Sequence, residues 1–246
     1  MKQPYNPQHH TKAHLLVAED DQITRLVLKK MLEQAGYKVD FVTDGHEAID
    51  ALKLINYDLV LMDCFMPRMD GFEATQRIRK STSADINARV PVIAMTGLTG
   101  ELDRLRCLDA GMDDHLTKPV NADELFTAIE KCMGRDVDQA TVTRAGGGDE
   151  AVWEDDFLEK LITSFVEEIP GVIGALQRAV ERDDLASLES TGHRLRGVSD
   201  ILQMTTLSAR SRALEEAGKA GNLSKAGTIA SDLIADLQKM EMAVSI

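Results

Sequence analysis

Five polar side chains stand at the ends of short apolar runs in the first half of the sequence. Glu19 and Asp20 follow LLVA, Asp63 ends DLVLMD, Thr96 ends VIAMT and Lys118 ends DHLTK. Such runs, rich in Val, Leu and Ile, are typical of buried strands. The carboxyl ends of parallel strands share one edge of a sheet, where ligands bind. The spacing therefore predicts three carboxylates, one hydroxyl and one ammonium at a common edge.

This set of side chains suits phosphoryl transfer assisted by a divalent cation. Clustered carboxylates favour a hard cation, and Mg²⁺ fits because it keeps several waters and accepts a phosphate oxygen. Asp63 is the expected nucleophile, which would form an acyl phosphate. Lys118 and the metal would neutralise the phosphoryl oxygens, and Thr96 would donate a hydrogen bond to one of them. Any one acid could simply cap a strand–helix turn, but the whole set indicates a phosphorylation site.

A histidine in the second half is a second candidate nucleophile. At about 100° per residue, one apolar stripe runs opposite it: Leu188, Leu195, Val198 and Leu202. We therefore expect His193 in solvent, with Arg196 one turn on to stabilise the charge of a phosphate. Gly197 costs roughly 0.5–1 kcal/mol in a helix relative to Ala, which close approach by a partner would explain. An ordinary surface histidine is the alternative interpretation.

Strands and helices alternate between residues 14 and 133. The strand candidates are HLLVA, KVDFV, DLVLMD, VPVIAM and DHLTK, and the helix candidates are 22–35, 45–55, 71–81, 99–110 and 122–133. Alternating elements with short connections predict an α/β doubly wound fold with a five-stranded parallel sheet.

The rest of the chain carries helical periodicity only, which predicts an all-α helical bundle. Amphipathic segments lie near 155–181, 184–204, 206–220 and 224–241. Pro170 and Gly171 should kink or break the first of them. The expected helix caps are Asp183, Thr206 and Ser224 at N-termini and Gly221 at a C-terminus. The predicted layout is a flexible tail (1–12), an α/β domain (13–133), a polar linker (134–150) and the bundle (151–246).

Composition excludes several functions. The 28 basic and 41 acidic side chains give a formal net charge of −13, which argues against nucleic-acid binding and against a polybasic membrane anchor. No apolar run reaches the roughly 18 residues of a membrane span. The three cysteines form no CxxC pair, so we expect a reducing, cytoplasmic location.

Four motifs of the first half resemble the motif set of bacterial two-component receiver domains, also called response regulator domains. They are ED at 19–20, MDCFMPRMDG at 62–71, MTG at 95–97 and LTKP at 116–119. The resemblance implies Mg²⁺ held by Glu19, Asp20, Asp63 and the backbone carbonyl of Phe65. It also implies a cis bond between Lys118 and Pro119. His115 stands where the family has its switch aromatic, so aromatic-coupled switching is not expected.

The stretch HRLRGVSDIL at 193–202 resembles the signature of histidine phosphotransfer (HPt) domains, His-x-Leu-Lys-Gly, with Arg196 in place of the usual Lys. Together the two resemblances imply a phosphorelay intermediate. An upstream sensor histidine kinase, hybrid kinases included, would phosphorylate Asp63. The group would be exchanged with His193 for transfer to a downstream response regulator. No Walker-type loop is present, so we expect a phosphotransfer protein without a kinase domain, not an enzyme.

Other interpretations stay open. The receiver could act as a phosphorylation-controlled binding switch with the bundle as a docking module, although Arg196 and Gly197 beside His193 speak against it. An aspartate-based phosphohydrolase would need a second acid where Phe65 stands. The resemblance to receivers also implies that Phe65 and Leu98, two residues after Asp63 and Thr96, border the path of a hydrolytic water, so we expect slow loss of phosphate from Asp63. Alternatively, both side chains merely pack against neighbouring loops.

Overall fold

The computed structural model describes residues 13–97, 100–134 and 154–244, which form two compact units. The predicted tail and nearly all of the predicted linker lie outside these residues, as does Leu98. Within the described ranges, no helix combines the length and the hydropathy needed to cross a bilayer. The three cysteines are free thiols.

The first unit is a five-stranded parallel sheet flanked by helices, as predicted. Its strands are β1 (His14–Ala18), β2 (Lys38–Val42), β3 (Leu59–Asp63), β4 (Val92–Thr96) and β5 (Asp114–Thr117), in the spatial order β2-β1-β3-β4-β5. Every residue of β3 and β4 is buried, whereas β2 at the sheet edge is only partly covered. Continuous apolar runs mark the central strands because helices cover both of their faces.

The helices of this unit are α1 (Gln22–Ala35), α2 (Gly45–Leu54), α3 (Gly71–Arg79), α4 (Glu101–Ala110) and α5 (Ala122–Cys132). Asp44, Asp70 and Asn121 cap α2, α3 and α5 by accepting hydrogen bonds from first-turn N–H groups. α4 begins two residues later than predicted, directly after its N-cap residue Gly100. Each of these helices therefore starts close to the carboxyl end of the preceding strand.

Gly71 allows α3 to start against the end of the strand that carries Asp63. A Cβ on Gly71 would lie 2.1 Å from the carbonyl oxygen of Asp63, much closer than real Cβ atoms approach. The Gly71 N–H donates to the carbonyl of Cys64 at 3.2 Å. The residue type is thus required by contact with the backbone of the predicted nucleophile.

The second unit consists of the helices α6 (Asp155–Glu181), α7 (Leu185–Ile201), α8 (Thr205–Lys219) and α9 (Leu223–Val244). The four predicted helices are therefore confirmed. The predicted break at Pro170 is wrong, because α6 runs through it for 27 residues; a kink there stays a prediction. Buried apolar residues on both sides, including Phe165, Ile169 and Val172, form one packed stripe that outweighs a local cost of about 3 kcal/mol.

The predicted helix N-caps are wrong by one or two positions. Asp184, not Asp183, caps α7, and Asp183 has a left-handed φ of 52°. Asn222, not Ser224, accepts the N–H of Lys225 at the start of α9. α8 begins at Thr205, before the predicted Thr206, with no side-chain cap. Gly221 does end α8 with a φ of 69°, one residue beyond the C-cap.

We predict that Gly71→Ala destabilises the first unit by about 1–3 kcal/mol, as overpacking does, because α3 or β3 must shift. Chemical denaturation of the full chain measures this effect. Gly171→Ala is the matched control, since a Cβ there meets no atom within 4 Å. The control should leave stability unchanged or raise it by up to roughly 1 kcal/mol. Equal stability of Gly71→Ala and the wild type would contradict the close-contact account.

Candidate phosphotransfer sites

The first site lies at the carboxyl edge of the sheet. β3 pairs with β1 on one side and β4 on the other, so the residues at these strand ends are neighbours. Glu19, Asp63 and Thr96 are almost completely buried there, and Asp20 is partly buried. The structure therefore brings together the side chains that the strand ends predicted.

Lys118 contacts two of the carboxylates. Its Nζ lies 2.7 Å from Glu19 Oε2 and 2.8 Å from Asp63 Oδ2. Burial alone lowers the pKa of Lys118, but the charges and hydrogen bonds of Asp63 and Glu19 outweigh burial and raise this pKa above its usual value. Lys118 thus stays charged and can neutralise a negative group on Asp63. The bond to Pro119 is cis, as the resemblance implied.

The acidic cluster fits a hard divalent cation. Glu19, Asp20 and Asp63 each offer one oxygen, and these three atoms lie within 4.8 Å of one another. With the carboxylates ionised and Lys118 protonated, two negative charges are left to balance. Oxygen-only donors favour Mg²⁺ or a similar ion over softer metals. The backbone N–H of Phe65 donates to Asp63 Oδ1 at 3.1 Å, and its carbonyl as a metal ligand stays a prediction.

The ring of Phe65 packs against a neighbouring helix. It meets Phe72 of α3 edge-on, with the centroids 5.9 Å apart, and the guanidinium of Arg106 on α4 lies 4.6 Å from the Phe72 centroid. The alternative interpretation expected Phe65 and Leu98 to pack against neighbouring loops, but Phe65 contacts a helix and Leu98 lies outside the described residues. The effect of Phe65 on the phosphate lifetime stays a prediction. His115, at the position of the family's switch aromatic, is partly exposed.

The second site is a histidine on α7 held by an acid from α8. Nδ1 of His193 lies 3.1 Å from Glu215 Oε1. Lys219 Nζ donates to the same oxygen at 2.6 Å, and Arg196 Nε donates to Oε2 at 2.9 Å. One buried carboxylate thus connects the candidate nucleophile to two cations.

His193 is less exposed than the helical periodicity predicted. Its side chain is only 14% exposed, so the expectation that it faces open solvent is wrong. The close packing of α7 on α8 is the reason. A Cβ on Gly192 would lie 2.8 Å from the backbone nitrogen of Glu215, and one on Gly218 would lie 2.7 Å from a side-chain atom of α7. These glycines let α8 cover one side of the imidazole.

Arg196 is also buried, whereas the same argument placed it on the exposed face. Its guanidinium turns toward Glu215 on α8, and Nη2 lies 3.5 Å from Nδ1 of His193. Gly197 does leave the expected open patch, because a Cβ there would meet nothing within 4 Å. A partner can therefore approach the helix one turn beyond His193.

Glu215 determines which ring nitrogen of His193 carries a proton. Burial raises the pKa of Glu215, but hydrogen bonds from His193 and Lys219 and the charge of Arg196 outweigh burial and lower it to about 2. An ionised carboxylate only accepts hydrogen bonds, so Nδ1 must be the donor. In the neutral ring Nε2 then has the lone pair. The nitrogen that can attack phosphorus is therefore Nε2.

Sequence reasoning missed Glu215 and Lys219. They stand four residues apart on α8, the spacing of side chains that meet on a helix. The available signal was the pair of glycines, Gly192 directly before the histidine and Gly218 directly before the lysine. Small residues at such positions indicate helices in close contact.

Comparisons with known families agree with this geometry. The arrangement is that of phosphotransfer modules from two-component signalling. Residues 15–130 match the response regulator receiver domain, and residues 160–243 match the Hpt domain. The chain therefore belongs to the two-component phosphorelay proteins and combines a receiver domain with an Hpt domain.

Similar proteins include much longer sensors. The sensor protein EvgS of Escherichia coli (strain K12) is 29% identical over 212 residues, which cover 83% of this chain and 17% of EvgS. Probable histidine kinase 2 of Oryza sativa subsp. indica is 36% identical over 137 residues, covering 50% of this chain and 13% of that protein. The chain thus spans less than a fifth of either relative.

A solved structure resembles the first unit. It is the receiver domain of sensor histidine kinase PA1611 from Pseudomonas aeruginosa PAO1, with a magnesium ion coordinated in its active site cleft. The sequence identity is 38% and the TM-score 0.46, and the match covers 50% of this chain and 99% of that one.

We predict that Glu215→Gln reduces the acid sensitivity of the second unit. The pKa of Glu215 falls from 4.5 to about 2 on folding. Its ionised form therefore stabilises the fold above pH 4.5, and this contribution is lost as the pH falls toward 2. The wild-type free energy of unfolding should drop by on the order of 2–3 kcal/mol across that window.

Denaturant titrations between pH 2 and pH 7 measure this difference. Glu216→Gln, which changes an exposed neighbour on the same helix, is the control and should behave like the wild type. A full wild-type pH dependence in Glu215→Gln would show that the Glu215 contacts do not stabilise the fold.

Proposed function

We propose that this chain is a phosphorelay intermediate in which Asp63 and His193 carry the phosphoryl group in turn. An upstream sensor histidine kinase would supply the group, and a downstream response regulator would receive it. The observation that carries the proposal is the presence in one chain of two candidate nucleophiles, each in contact with a buried charged group. Lys118 contacts Asp63, and Glu215 contacts His193.

In the first transfer a carboxylate oxygen of Asp63 attacks the phosphorus of a phosphohistidine. An O–P bond forms, and the N–P bond to the donor imidazole breaks, which returns the electron pair to that nitrogen. Lys118 is already beside Oδ2 and neutralises part of the charge on the phosphoryl oxygens. Thr96, buried at the end of β4, is the proposed hydrogen-bond donor to one of these oxygens.

We propose Mg²⁺ as the metal of this site, held by Glu19, Asp20, Asp63 and the backbone carbonyl of Phe65. When bound, it supplies charge neutralisation for the phosphoryl group. The close approach of the three carboxylates supports this assignment. The protein contributes the position of its oxygens and the buried ammonium of Lys118.

In the second transfer Nε2 of His193 attacks the phosphorus of the acyl phosphate. An N–P bond forms, and the carboxylate of Asp63 leaves. The ring becomes cationic because Nδ1 keeps its proton, and Glu215 balances that charge. Arg196 and Lys219, both bonded to Glu215, add positive charge near the incoming group. In the reverse reaction the N–P bond breaks and the O–P bond to Asp63 forms, which returns the phosphoryl group. The direction of transfer therefore depends on the partners.

Further assignments complete the proposal: a receiver domain over 13–133, a linker over 134–150 and an Hpt domain over 151–246. We place the chain in the cytoplasm and regard it as a transfer protein without a kinase domain, not as an enzyme. The free cysteines and the acidic composition support this setting. The alternative, a binding switch with a docking bundle, leaves the Glu215–His193 contact without a role.

We predict that each nucleophile can be removed separately. Asp63→Asn should abolish labelling of the receiver by acetyl phosphate, because no carboxylate oxygen is left to attack. His193→Gln should keep that label and lose the acid-labile, alkali-stable phosphate. Gel analysis of labelled protein after acid and alkali treatment measures both. His115→Gln is the control and should keep both labels; phosphohistidine in His193→Gln would refute the assignment.

We predict that labelling of Asp63 depends on Mg²⁺ and on Asp20. Asp20→Ala removes one of three clustered oxygens and should therefore weaken Mg²⁺ binding. The Mg²⁺ concentration that gives half-maximal labelling should rise by at least tenfold. Asp85→Ala, which changes an exposed acid, is the control. Unchanged labelling in excess chelator would exclude the metal.

A further inference from the structure

A groove in the second unit has no part in the chemistry above. It lies between the C-terminal half of α6 and the N-terminal half of α7 and has a volume of about 450 Å³. Small side chains such as Ala179, Ala186 and Ser190 line it, together with Arg178 and Arg182. The two arginines are exposed and stand four residues apart, Arg178 in the last turn of α6 and Arg182 as its C-cap. Most side chains that line the groove are therefore small, and the two arginines make one wall positively charged.

The groove adjoins the face of α7 on which the phosphotransfer histidine stands. At about 100° per residue, Ala186, Ser190, His193 and Gly197 lie within about 60° of one another around α7. Ala186 is about 10 Å from His193 along the helix axis. A protein that docks stably covers about 800 Å² of each partner. A footprint of that size centred on His193 reaches this groove.

The groove is not built for a free anion. Asp184, which caps α7, contributes to its lining. The carboxylate of Asp184 accepts hydrogen bonds from the N–H of Ser187 at 3.0 Å and from its hydroxyl at 2.6 Å. The positive end of the α7 dipole is thus already satisfied by a carboxylate, which would repel a free phosphate. The arginine wall and the acidic end suit an extended protein surface better.

The first unit shows what surface a receiver presents around its phosphorylated aspartate. Its helices start at the carboxyl edge of the sheet, and exposed acids occupy their first turns: Glu47, Glu73, Asp123 and Glu124. Acids are favoured at these positions by the helix dipole, so other receivers of this fold should share the feature. Glu47 and Glu73 also contact Arg68 and Arg77, so the acidic part of this rim is centred on the start of α5, at Asp123 and Glu124.

We propose that the groove at Arg178 and Arg182 is a docking surface for the acidic rim of a receiver domain that exchanges phosphate with His193. The proposal rests on the proposed function and adds the surface that recognises the partner. Among the side chains that line the groove, the two arginines outnumber the single acid, Asp184. Complementary charge at this place speeds association and selects the orientation that presents the aspartate to His193.

The test uses two full-length variants, so that donor and acceptor are separate molecules. His193→Gln, phosphorylated on Asp63 by acetyl phosphate and then freed of reagent, is the donor. Asp63→Asn is the acceptor, with either native arginines or Arg178→Glu plus Arg182→Glu. The initial rate of phosphohistidine formation is measured against donor concentration at several salt concentrations.

The charge reversal should lower the second-order rate constant by roughly tenfold or more at low salt. The difference should shrink as salt rises, because screening weakens attraction between exposed charges. The rate at saturating donor should change little, since the contacts of His193 are intact. Circular dichroism should show an unchanged fold.

A matched control reverses two exposed lysines instead, Lys160→Glu plus Lys239→Glu. Lys160 is about 27 Å before Arg178 along α6. An equal loss in this control, or none in the arginine variant, would overturn the docking surface while the relay stands. Inorganic phosphate is also added at constant ionic strength. If it inhibits the acceptor with native arginines but not the arginine variant, the groove is an anion site and the docking surface is overturned as well. If the native acceptor forms no phosphohistidine, the proposed function fails with it.

Discussion

The mutual repulsion of three carboxylates at one sheet edge is the constraint on which the first unit depends. Glu19 and Asp63 are almost completely buried, and buried like charges destabilise a fold unless cations offset them. Lys118 contacts both and removes one negative charge. The remaining negative charge favours a divalent cation, which is the basis for the proposed Mg²⁺. A local electrostatic cost to the fold is thus the origin of the binding site.

That constraint explains the surrounding backbone. The acids follow β1 and β3 while the ammonium follows β5, so only a parallel sheet with β3 in its centre brings them together. α3 must then begin directly after the loop behind Asp63, where only Gly71 fits. In the second unit the same role falls to Gly192 and Gly218, which let α8 approach closely enough for Glu215 to reach His193.

Features with a local signal could be predicted from the sequence, and features that arise from packing could not. β3 and β4 are continuous apolar runs, so their carboxyl ends could be placed within one residue, although the predicted strands began one or two residues early. Proline strongly disfavours the interior of a helix, which predicts a break at Pro170, but the packed apolar stripe of α6 outweighs this local preference. The exposure of His193 was wrong because periodicity treats α7 alone. Glu215 is 22 residues from His193 in sequence, and the local feature that separates it from its neighbour Glu216 is the small residue Gly218 three positions on.

The two proposed nucleophiles have differently charged neighbours, although each would gain the same group. The transferred unit is formally PO₃⁻, so a site that accepts it must tolerate one more negative charge. At Asp63, Lys118 and the proposed metal provide that tolerance. At His193 the acid that orients the ring would by itself repel the incoming group. Arg196 and Lys219, both bonded to Glu215, reverse the sign, since two cations against one carboxylate leave a net positive charge. Glu215 can therefore fix the tautomer of His193 without repelling the phosphoryl group. For this reason the carboxylate and its two cations form a single functional unit.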